Sequence, residues 1–163
     1  MSAPAPHVQV RPATANEMVA ARELLQEYAD SLDCRVYLPN ISQELQNLPG
    51  EFAPPRGALL LVWVDDVLAG CCAMRALDDS DHIGSAEMMR LYVRPAFRGL
   101  GLGKNLAQEI LYCAAQAGYA CVLLDTLDSI EAARQLYEDL GFYEIEPFYN
   151  SPVSGAHYLK VEL

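Results

Sequence analysis

A glycine-rich turn between a predicted strand and a predicted helix constrains this chain more than any other feature. The turn runs from Arg98 to Gly103 and reads RGLGLG. The apolar segment Ser85 to Val93 before it predicts a strand, and the amphipathic segment Lys104 to Ala117 after it predicts a helix. Glycine permits left-handed backbone angles and close approach of a ligand to the main chain. The turn therefore predicts an α/β unit whose strand-to-helix junction is open to a ligand.

The remaining sequence alternates between strand and helix patterns. Thr14 and Glu17 have the spacing of a capping box, which predicts the start of a helix after a first strand. Asp65-Asp66 predicts a hairpin turn between two apolar strands. The predicted elements are strands near Val8 to Arg11, Ala58 to Val64, Val67 to Arg75, Tyr119 to Thr126, Phe142 to Ile145 and His157 to Val161, and helices near Met18 to Tyr28, Ile41 to Leu48 and Ser129 to Leu140. This order predicts one α/β (α+β) domain with a single sheet.

Successive amides in the glycine turn, beside the positive end of a helix dipole, predict a pyrophosphate site. Arg98 and Lys104 add positive charge there. The spacing excludes two common phosphate motifs: a Walker A loop needs glycine at Arg98 and a hydroxyl at Asn105, and a dinucleotide GxGxxG loop needs glycine at Lys104 or Leu106. The pattern that fits is [RQ]xxGxG.

That pattern resembles the signature of the GNAT superfamily of N-acetyltransferases. Residues 91–103 resemble its LYVxPxxRGxGxG block, and residues 133–142 resemble its AxxLYxxxGF block, in the same order. The resemblance covers roughly residues 8–163 and leaves residues 1–7 as an expected flexible N-terminus. It implies a GNAT-type single domain with a mixed, mostly antiparallel sheet of six to seven strands, about four flanking helices, and strands four and five that splay apart after a bulge.

The resemblance also implies acetyl-CoA as the co-substrate. Its pantetheine arm would lie against Leu91, Tyr92 and Val93, and its pyrophosphate on Arg98, Gly99, Leu100, Gly101, Leu102, Gly103 and Lys104. Many family members carry asparagine seven residues before the tyrosine of the LY pair, where this chain has Ile130. Asp125, Thr126 and Asp128 are the polar residues nearby that could replace its contacts.

Two residues are candidates for proton transfer. Acetyl transfer needs a neutral amine and hence a base, and an acid that protonates the departing thiolate. Glu87 is the candidate base because it lies eleven residues before Arg98, where family members often carry a catalytic glutamate. The alternative is a glutamate that faces solvent or pairs with Arg90. If the strand is regularly pleated, Glu87, Met89, Leu91 and Val93 share one side of it.

Tyr137 is the candidate general acid. It is the tyrosine of the LY pair, which the family commonly places near the CoA sulfur. The phenol stays protonated at neutral pH because its usual pKa is about 10. The alternative is an aromatic side chain that simply packs into the core from its helix.

The acceptor is expected between the segments Asp30 to Gly57 and Phe142 to Tyr158. Three tyrosines and two carboxylates there form a candidate aromatic, acidic pocket for a cation: Tyr37, Tyr149, Tyr158, Asp33 and Glu44. Ordinary surface tyrosines are the alternative. We expect a small-molecule amine or amino acid as acceptor. A protein N-terminus or lysine, or a non-catalytic acetyl-CoA sensor, are the other possibilities.

Charge and cysteine content restrict the partners and the compartment. The net charge of −11 disfavours binding to nucleic acid and anionic lipid. The five cysteines show no ligand spacing and indicate a reducing environment without disulfides. The segment Met1 to Pro6 lacks the features of a signal peptide, and the chain has no apolar run of about 20 residues. We therefore expect a cytoplasmic protein without a metal site. A homodimer is possible because dimers are common in this family.

Overall fold

The structure is a computed structural model that describes residues 4–32, 38, 40–127, 131–148 and 155–163. Its strands are β1 (Val8–Pro12), β2 (Ala58–Val64), β3 (Val67–Ala76), β4 (Ser85–Val93), β5 (Cys121–Leu127), β6 (Tyr143–Ile145) and β7 (Ala156–Glu162). Its α-helices are α1 (Met18–Ser31), α2 (Ile41–Gln46), α3 (Leu102–Gln116) and α4 (Glu131–Asp139). These bounds follow the predicted elements closely.

The seven strands form one sheet in the order β1-β2-β3-β4-β5-β7-β6. Neighbouring strands are antiparallel except β4 and β5, which run parallel and are joined through α3. A parallel pair needs a crossover connection, and α3 supplies it. The glycine turn at the start of α3 therefore lies at the carboxyl end of β4, beside the place where the sheet changes direction.

Apolar side chains of the sheet point to both faces and form two cores. One core joins α3 and α4 to alternate residues of β2 such as Leu60 and Val62. The other joins α1 and α2 to the intervening residues Leu59 and Leu61. This alternation follows the two-residue period of a strand. Because α1 and α2 lie on one face and α3 and α4 on the other, residues on β4 and β5 face one or the other helical layer.

Turn residues at the ends of these elements behave as their chemistry predicts. The predicted capping box is present, with Thr14 N–H donating to Glu17 Oε1 at 2.9 Å. Asp65 and Asp66 have φ angles of 47° and 68°, which suits a two-residue hairpin turn between β2 and β3. Gly118 after α3 has a φ angle of 90°. It therefore adopts the left-handed conformation that commonly ends a helix.

A β-bulge interrupts β4 at Arg90, as the family resemblance implied, so the condition of a regular pleat for a shared face of Glu87, Met89, Leu91 and Val93 is not met. Ala73 pairs with Met89 and Cys71 with Tyr92, which leaves one extra residue on β4. Arg90 itself has a φ angle of 60°, which is unusual for a residue with a side chain. The extra residue reverses the alternation of faces. Met89 and Tyr92 consequently pack on the α1–α2 core, whereas Leu91 and Val93 pack on the α3–α4 core.

Within the described residues, no helix is long and apolar enough to cross a membrane. Cys71, Cys72, Cys113 and Cys121 are free thiols, and Cys34 lies outside the described residues.

Candidate active site

Strands β4 and β5 separate to leave a gap in the middle of the sheet. Their parallel ladder runs from Ser85–Cys121 to Glu87–Leu123 and then ends. Both strands continue beyond that point, to Val93 and Leu127 respectively. The predicted splay of strands four and five is therefore confirmed. The gap opens toward the glycine turn, because the turn follows the carboxyl end of β4.

The glycine turn presents free amides at the mouth of this gap. Gly99 and Gly101 have φ angles of 88° and 75°, and a Cβ at either position would meet nothing within 4 Å. Left-handed backbone, rather than lack of space, therefore explains both glycines. Asn105 N–H donates to Gly101 O at 3.1 Å, which makes it the first amide bonded in the helical pattern. The amides of Leu102, Gly103 and Lys104 precede that bond and are available to an anion.

Gly103 serves a different purpose, because it brings α3 close to α4. A Cβ at this position would lie 3.2 Å from Leu136 Cδ1. Turn and helix together line a cavity of about 320 Å³, which extends from Val93 past Gly99 and Gly101 to Gln135 and Leu136. The two sequence blocks that carried the family resemblance are therefore walls of the same cavity.

Arg98 turns back over the end of β4. Its Nε donates to Val93 O at 3.0 Å, and its guanidinium lies 6.0 Å from the centre of the Tyr92 ring. Lys104 lines the cavity at the other end of the turn. The two cations therefore flank the free amides in an otherwise acidic chain. A phosphate group fits this arrangement of donors and charges.

Tyr137 lies on α4 and is buried in the α3–α4 core. Its ring packs edge-on against Phe142 with centroids 5.7 Å apart. Burial is the main cause that raises the pKa of Tyr137, and the nearby Cys72, Tyr28 and Asp125 raise it further. The phenol therefore remains protonated at neutral pH. Tyr28 belongs to α1 on the other face of the sheet, so its interaction with Tyr137 acts across the sheet.

Glu87 is buried on β4, at the last residue of the β4–β5 ladder, and its side chain is 2% exposed. It does not face solvent, and its ion-pair partner is Arg75 on β3, with Nη2 to Oε1 at 2.9 Å. Arg75 also binds the exposed Glu51. Arg90, the partner considered for Glu87 in the sequence, makes a bidentate pair with Glu44 of α2 at 3.0 Å.

The sequence of this chain matches a known protein family and known relatives. The profile of the acetyltransferase (GNAT) family matches residues 19–142, which is most of the chain. This chain belongs to the GNAT acetyltransferase family. It is an acetyl-CoA-dependent N-acetyltransferase. An uncharacterized N-acetyltransferase of Schizosaccharomyces pombe is 36% identical over 141 residues, covering 86% of this chain and 85% of the relative.

Two further similarities concern part of the chain or its fold. Human N-acetylaspartate synthetase is 34% identical over 89 residues, which covers 55% of this acetyltransferase and 28% of the human protein. The structure of the acetyltransferase yncA of Salmonella typhimurium with its cofactor acetyl-CoA superposes with a TM-score of 0.75 at 16% identity, covering 96% of this chain and 94% of that one. The latter similarity shows that the fold is shared.

On the α1–α2 side of the sheet, the acetyltransferase has a second cavity of about 860 Å³. Glu144 to Phe148 and Tyr158 form one wall of it. The opposite wall is the β3–β4 loop, with Asp79, Asp81 and His82, and not the segment Asp30 to Gly57. The cavity is therefore acidic and partly aromatic, with Phe148 and Tyr158 in edge-on contact at 5.2 Å.

Of the described residues expected in the acceptor pocket, one lines the second cavity and one does not. Tyr158 lines the second cavity, whereas Glu44 is held by Arg90 and lies outside it. Several residues singled out in the sequence lie outside the described residues: Asp33, Tyr37, Asp128, Ile130 and Tyr149.

Two residues near the gap were missed as site residues by the sequence interpretation. Tyr28 ended an apolar helical stripe and so resembled a core residue, and Arg75 carried no motif at all. Among the residues that the structure describes, no group of three His, Cys, Asp or Glu side chains is placed to hold a metal ion.

Proposed function

We propose that this acetyltransferase moves an acetyl group from acetyl-CoA to a primary amine of a small molecule or amino acid by direct attack. In this proposal Glu87 is the general base and Tyr137 the general acid. Acetyl-CoA would bind with its pyrophosphate on Arg98 to Lys104 and its pantetheine arm along Leu91 to Val93. No covalent intermediate on the protein is needed.

One observation supports the donor half of this proposal: the cavity at the glycine turn is also lined by Leu136, the residue before Tyr137. The turn supplies free amides, and α4 supplies the buried phenol of Tyr137. The side of β4 that faces β5 has no strand partner after Glu87, so its backbone can bind the amide groups of an extended arm. A thioester at the end of that arm would lie close to the Tyr137 hydroxyl.

The environment of Tyr137 suits proton donation to sulfur. Burial disfavours the phenolate, but it disfavours a departing thiolate in the same site as well. Proton transfer from the phenol to sulfur gives a neutral thiol and leaves one negative charge, on the phenolate. A proton released by the amine then neutralises the phenolate. Among the described residues, the Tyr137 hydroxyl has no hydrogen-bond partner. It is therefore free to donate to the substrate.

Acceptor binding is proposed on the opposite side of the gap, in the cavity of about 860 Å³ lined by Glu144, Tyr158 and the β3–β4 loop. Its acidic walls suit a protonated amine. The name of the human relative, N-acetylaspartate synthetase, specifies an acetylated amino acid as product. It supports an amino acid or similar small amine as the acceptor class here.

The test is thiol release from acetyl-CoA across a panel of amines, amino acids and peptides, with the acetylated product identified by mass spectrometry. We expect turnover with one or more small amines and none in their absence. The Tyr137→Phe variant should lose about 100-fold in kcat, the lower end of general acid–base contributions, with unchanged affinity for acetyl-CoA. Tight CoA binding without turnover of any acceptor would contradict the enzyme and favour a sensor.

A further inference from the structure

We propose that Asp125 is a further catalytic residue, whose carboxylate accepts the proton of the bound amine directly. Glu87, proposed above as the general base, then supports Asp125 by its charge and does not touch the amine. This inference rests on the proposed transfer to an amine. It starts from the accessibility of Glu87, which is 2% exposed and held by Arg75. A carboxylate enclosed in this way cannot touch an amine that arrives from solvent. A second, accessible group is needed between Glu87 and the acceptor.

The strand register places Asp125 in that position. Glu87 is the neighbour of Leu123 in the last step of the β4–β5 ladder, and Asp125 is two residues further along β5. Residues two apart share a face of a strand, so Asp125 points to the same side of the sheet as Glu87. On its other flank, Asp125 pairs with Tyr158 of β7. Tyr158 lines the proposed acceptor cavity, so Asp125 stands between that cavity and the gap.

Asp125 is exposed to solvent within the cleft, in contrast to Glu87. It also forms no ion pair with any residue that the structure describes, whereas Glu87 and Arg90 each have one. Its carboxylate is consequently available to an incoming cation. The aspartate can also return a proton to water after each turnover, which the enclosed Glu87 cannot do.

The charges around Asp125 favour proton uptake. Desolvation by the walls of the cleft is the main cause that raises the pKa of Asp125, and the Glu87 carboxylate raises it further, while Arg90 lowers it. Arg90 is engaged by Glu44, which offsets part of its charge. Glu87 therefore makes Asp125 a stronger base without meeting the amine.

Asp125 also interacts with two phenols, one in each helical layer. Its charge raises the pKa of Tyr28 on α1 and of Tyr137 on α4. Asp125 therefore interacts electrostatically with the proposed acid Tyr137, which belongs to the helical layer on the other face of the sheet. A base on one side and the proposed acid Tyr137 on the other are the two groups that acetyl transfer requires.

Protons and electron pairs balance over the whole step. The bound ammonium gives one proton to Asp125, and the freed lone pair on nitrogen forms the C–N bond to the acetyl carbon. The C–S bond breaks, and sulfur takes that electron pair and the proton of Tyr137. The new amide nitrogen releases a second proton, which restores Tyr137 through water in the cleft. Asp125 then gives its proton to solvent.

Two amines of the same shape test the role of Asp125. Ethylamine is protonated at neutral pH, whereas methoxyamine has the same number of heavy atoms but is unprotonated and needs no base before attack. We expect Asp125→Asn to lower kcat/KM for ethylamine about 100-fold at pH 7. For methoxyamine the same substitution should lower kcat/KM by less than about threefold, because the neutral amine does not need a base before it attacks. Asp66→Asn, in the exposed β2–β3 turn, is the matched control and should change neither value.

Equal losses with the two amines would overturn the proposal, because a structural role does not distinguish them. So would an unaffected Asp125→Asn variant of an active enzyme. A wild-type protein that acetylates no amine in the panel would overturn the proposed function and this inference with it. The two failures are therefore distinguishable.

A second measurement does not depend on turnover. Carbon-13 NMR of labelled aspartate carboxyls, with Asp125→Asn to assign the resonance, gives the titration midpoint of Asp125. We expect a midpoint above the usual 3.8 in the wild type and a lower one in Glu87→Gln. A midpoint at the usual value that Glu87→Gln leaves unchanged would contradict the proposal.

Discussion

Gly103 on α3 and Leu136 on α4 are so close that a Cβ at position 103 would lie 3.2 Å from Leu136 Cδ1. The third glycine of the turn therefore allows α4 to pack against the start of α3. Tyr137 follows Leu136 directly, so this contact also sets the position of the proposed acid relative to the proposed pyrophosphate site. A substitution in the donor loop is thus expected to affect the catalytic helix.

Gly103→Val should destabilise the protein by about 1–3 kcal/mol, the usual cost of overpacking. It should also weaken acetyl-CoA binding, because α4 would move away from α3. Urea denaturation and calorimetric titration measure the two effects. Adding Leu136→Ala to the variant removes the clash and should restore part of both losses. A double variant no better than Gly103→Val would show that the Gly103–Leu136 contact is not the cause.

Arg75 neutralises a buried carboxylate, and its removal should be costly. Arg75→Met leaves Glu87 enclosed without its cation, which we expect to lower the free energy of unfolding by about 3 kcal/mol. The matched control is Glu51→Gln, which breaks the exposed pair on the same arginine and should cost less than about 1 kcal/mol. Equal effects of the two substitutions in urea denaturation would contradict a specific role of the Arg75–Glu87 pair.

A pH effect is expected at the start of the first helical segment. The Arg11 guanidinium, helped by Thr14 N–H, lowers the pKa of Glu17 from 4.5 to about 2. A lowered pKa stabilises the fold above the unfolded value, and this contribution disappears as pH falls from 4.5 through about 2. Glu17→Gln keeps an acceptor for the cap but removes the charge. Its deficit in urea midpoint should be full at pH 6 and vanish near pH 2; a deficit independent of pH would contradict the charge effect.

The sequence predicted the order and type of the elements because their patterns are local. The capping box at Thr14, the turn at Asp65 and the glycine after α3 each fix a boundary by backbone chemistry. The splay of strands four and five came from the family resemblance and not from the residues themselves.

The departures from prediction involve long-range contacts or a local conformation without a residue signature. The family resemblance implied a bulge but not its position: Arg90 has a side chain at a φ angle of 60°, where glycine would have been the sequence signal. The bulge moved Leu91 and Val93 to the face opposite Glu87. Arg75 on β3 is twelve residues from Glu87 on the neighbouring strand β4. The two side chains meet because the strand register makes these residues direct partners. The second cavity depends on where the β3–β4 loop folds.

The central claim is that the glycine turn holds the pyrophosphate of acetyl-CoA, and two glycines with matched geometry test it. Gly101 in the turn and Gly118 after α3 both have left-handed φ angles, and a Cβ added at either position would have no neighbour within 4 Å. Alanine should therefore strain the backbone by about 1–2 kcal/mol at either site.

The decisive measurement is the Kd of acetyl-CoA, by calorimetric titration, for the wild type, Gly101→Ala and Gly118→Ala. We predict at least tenfold weaker binding for Gly101→Ala, a loss of about 1.4 kcal/mol, and a change below twofold for Gly118→Ala. Equal affinities for all three proteins, or equal losses in both variants, would contradict the assignment of the turn as the acetyl-CoA site.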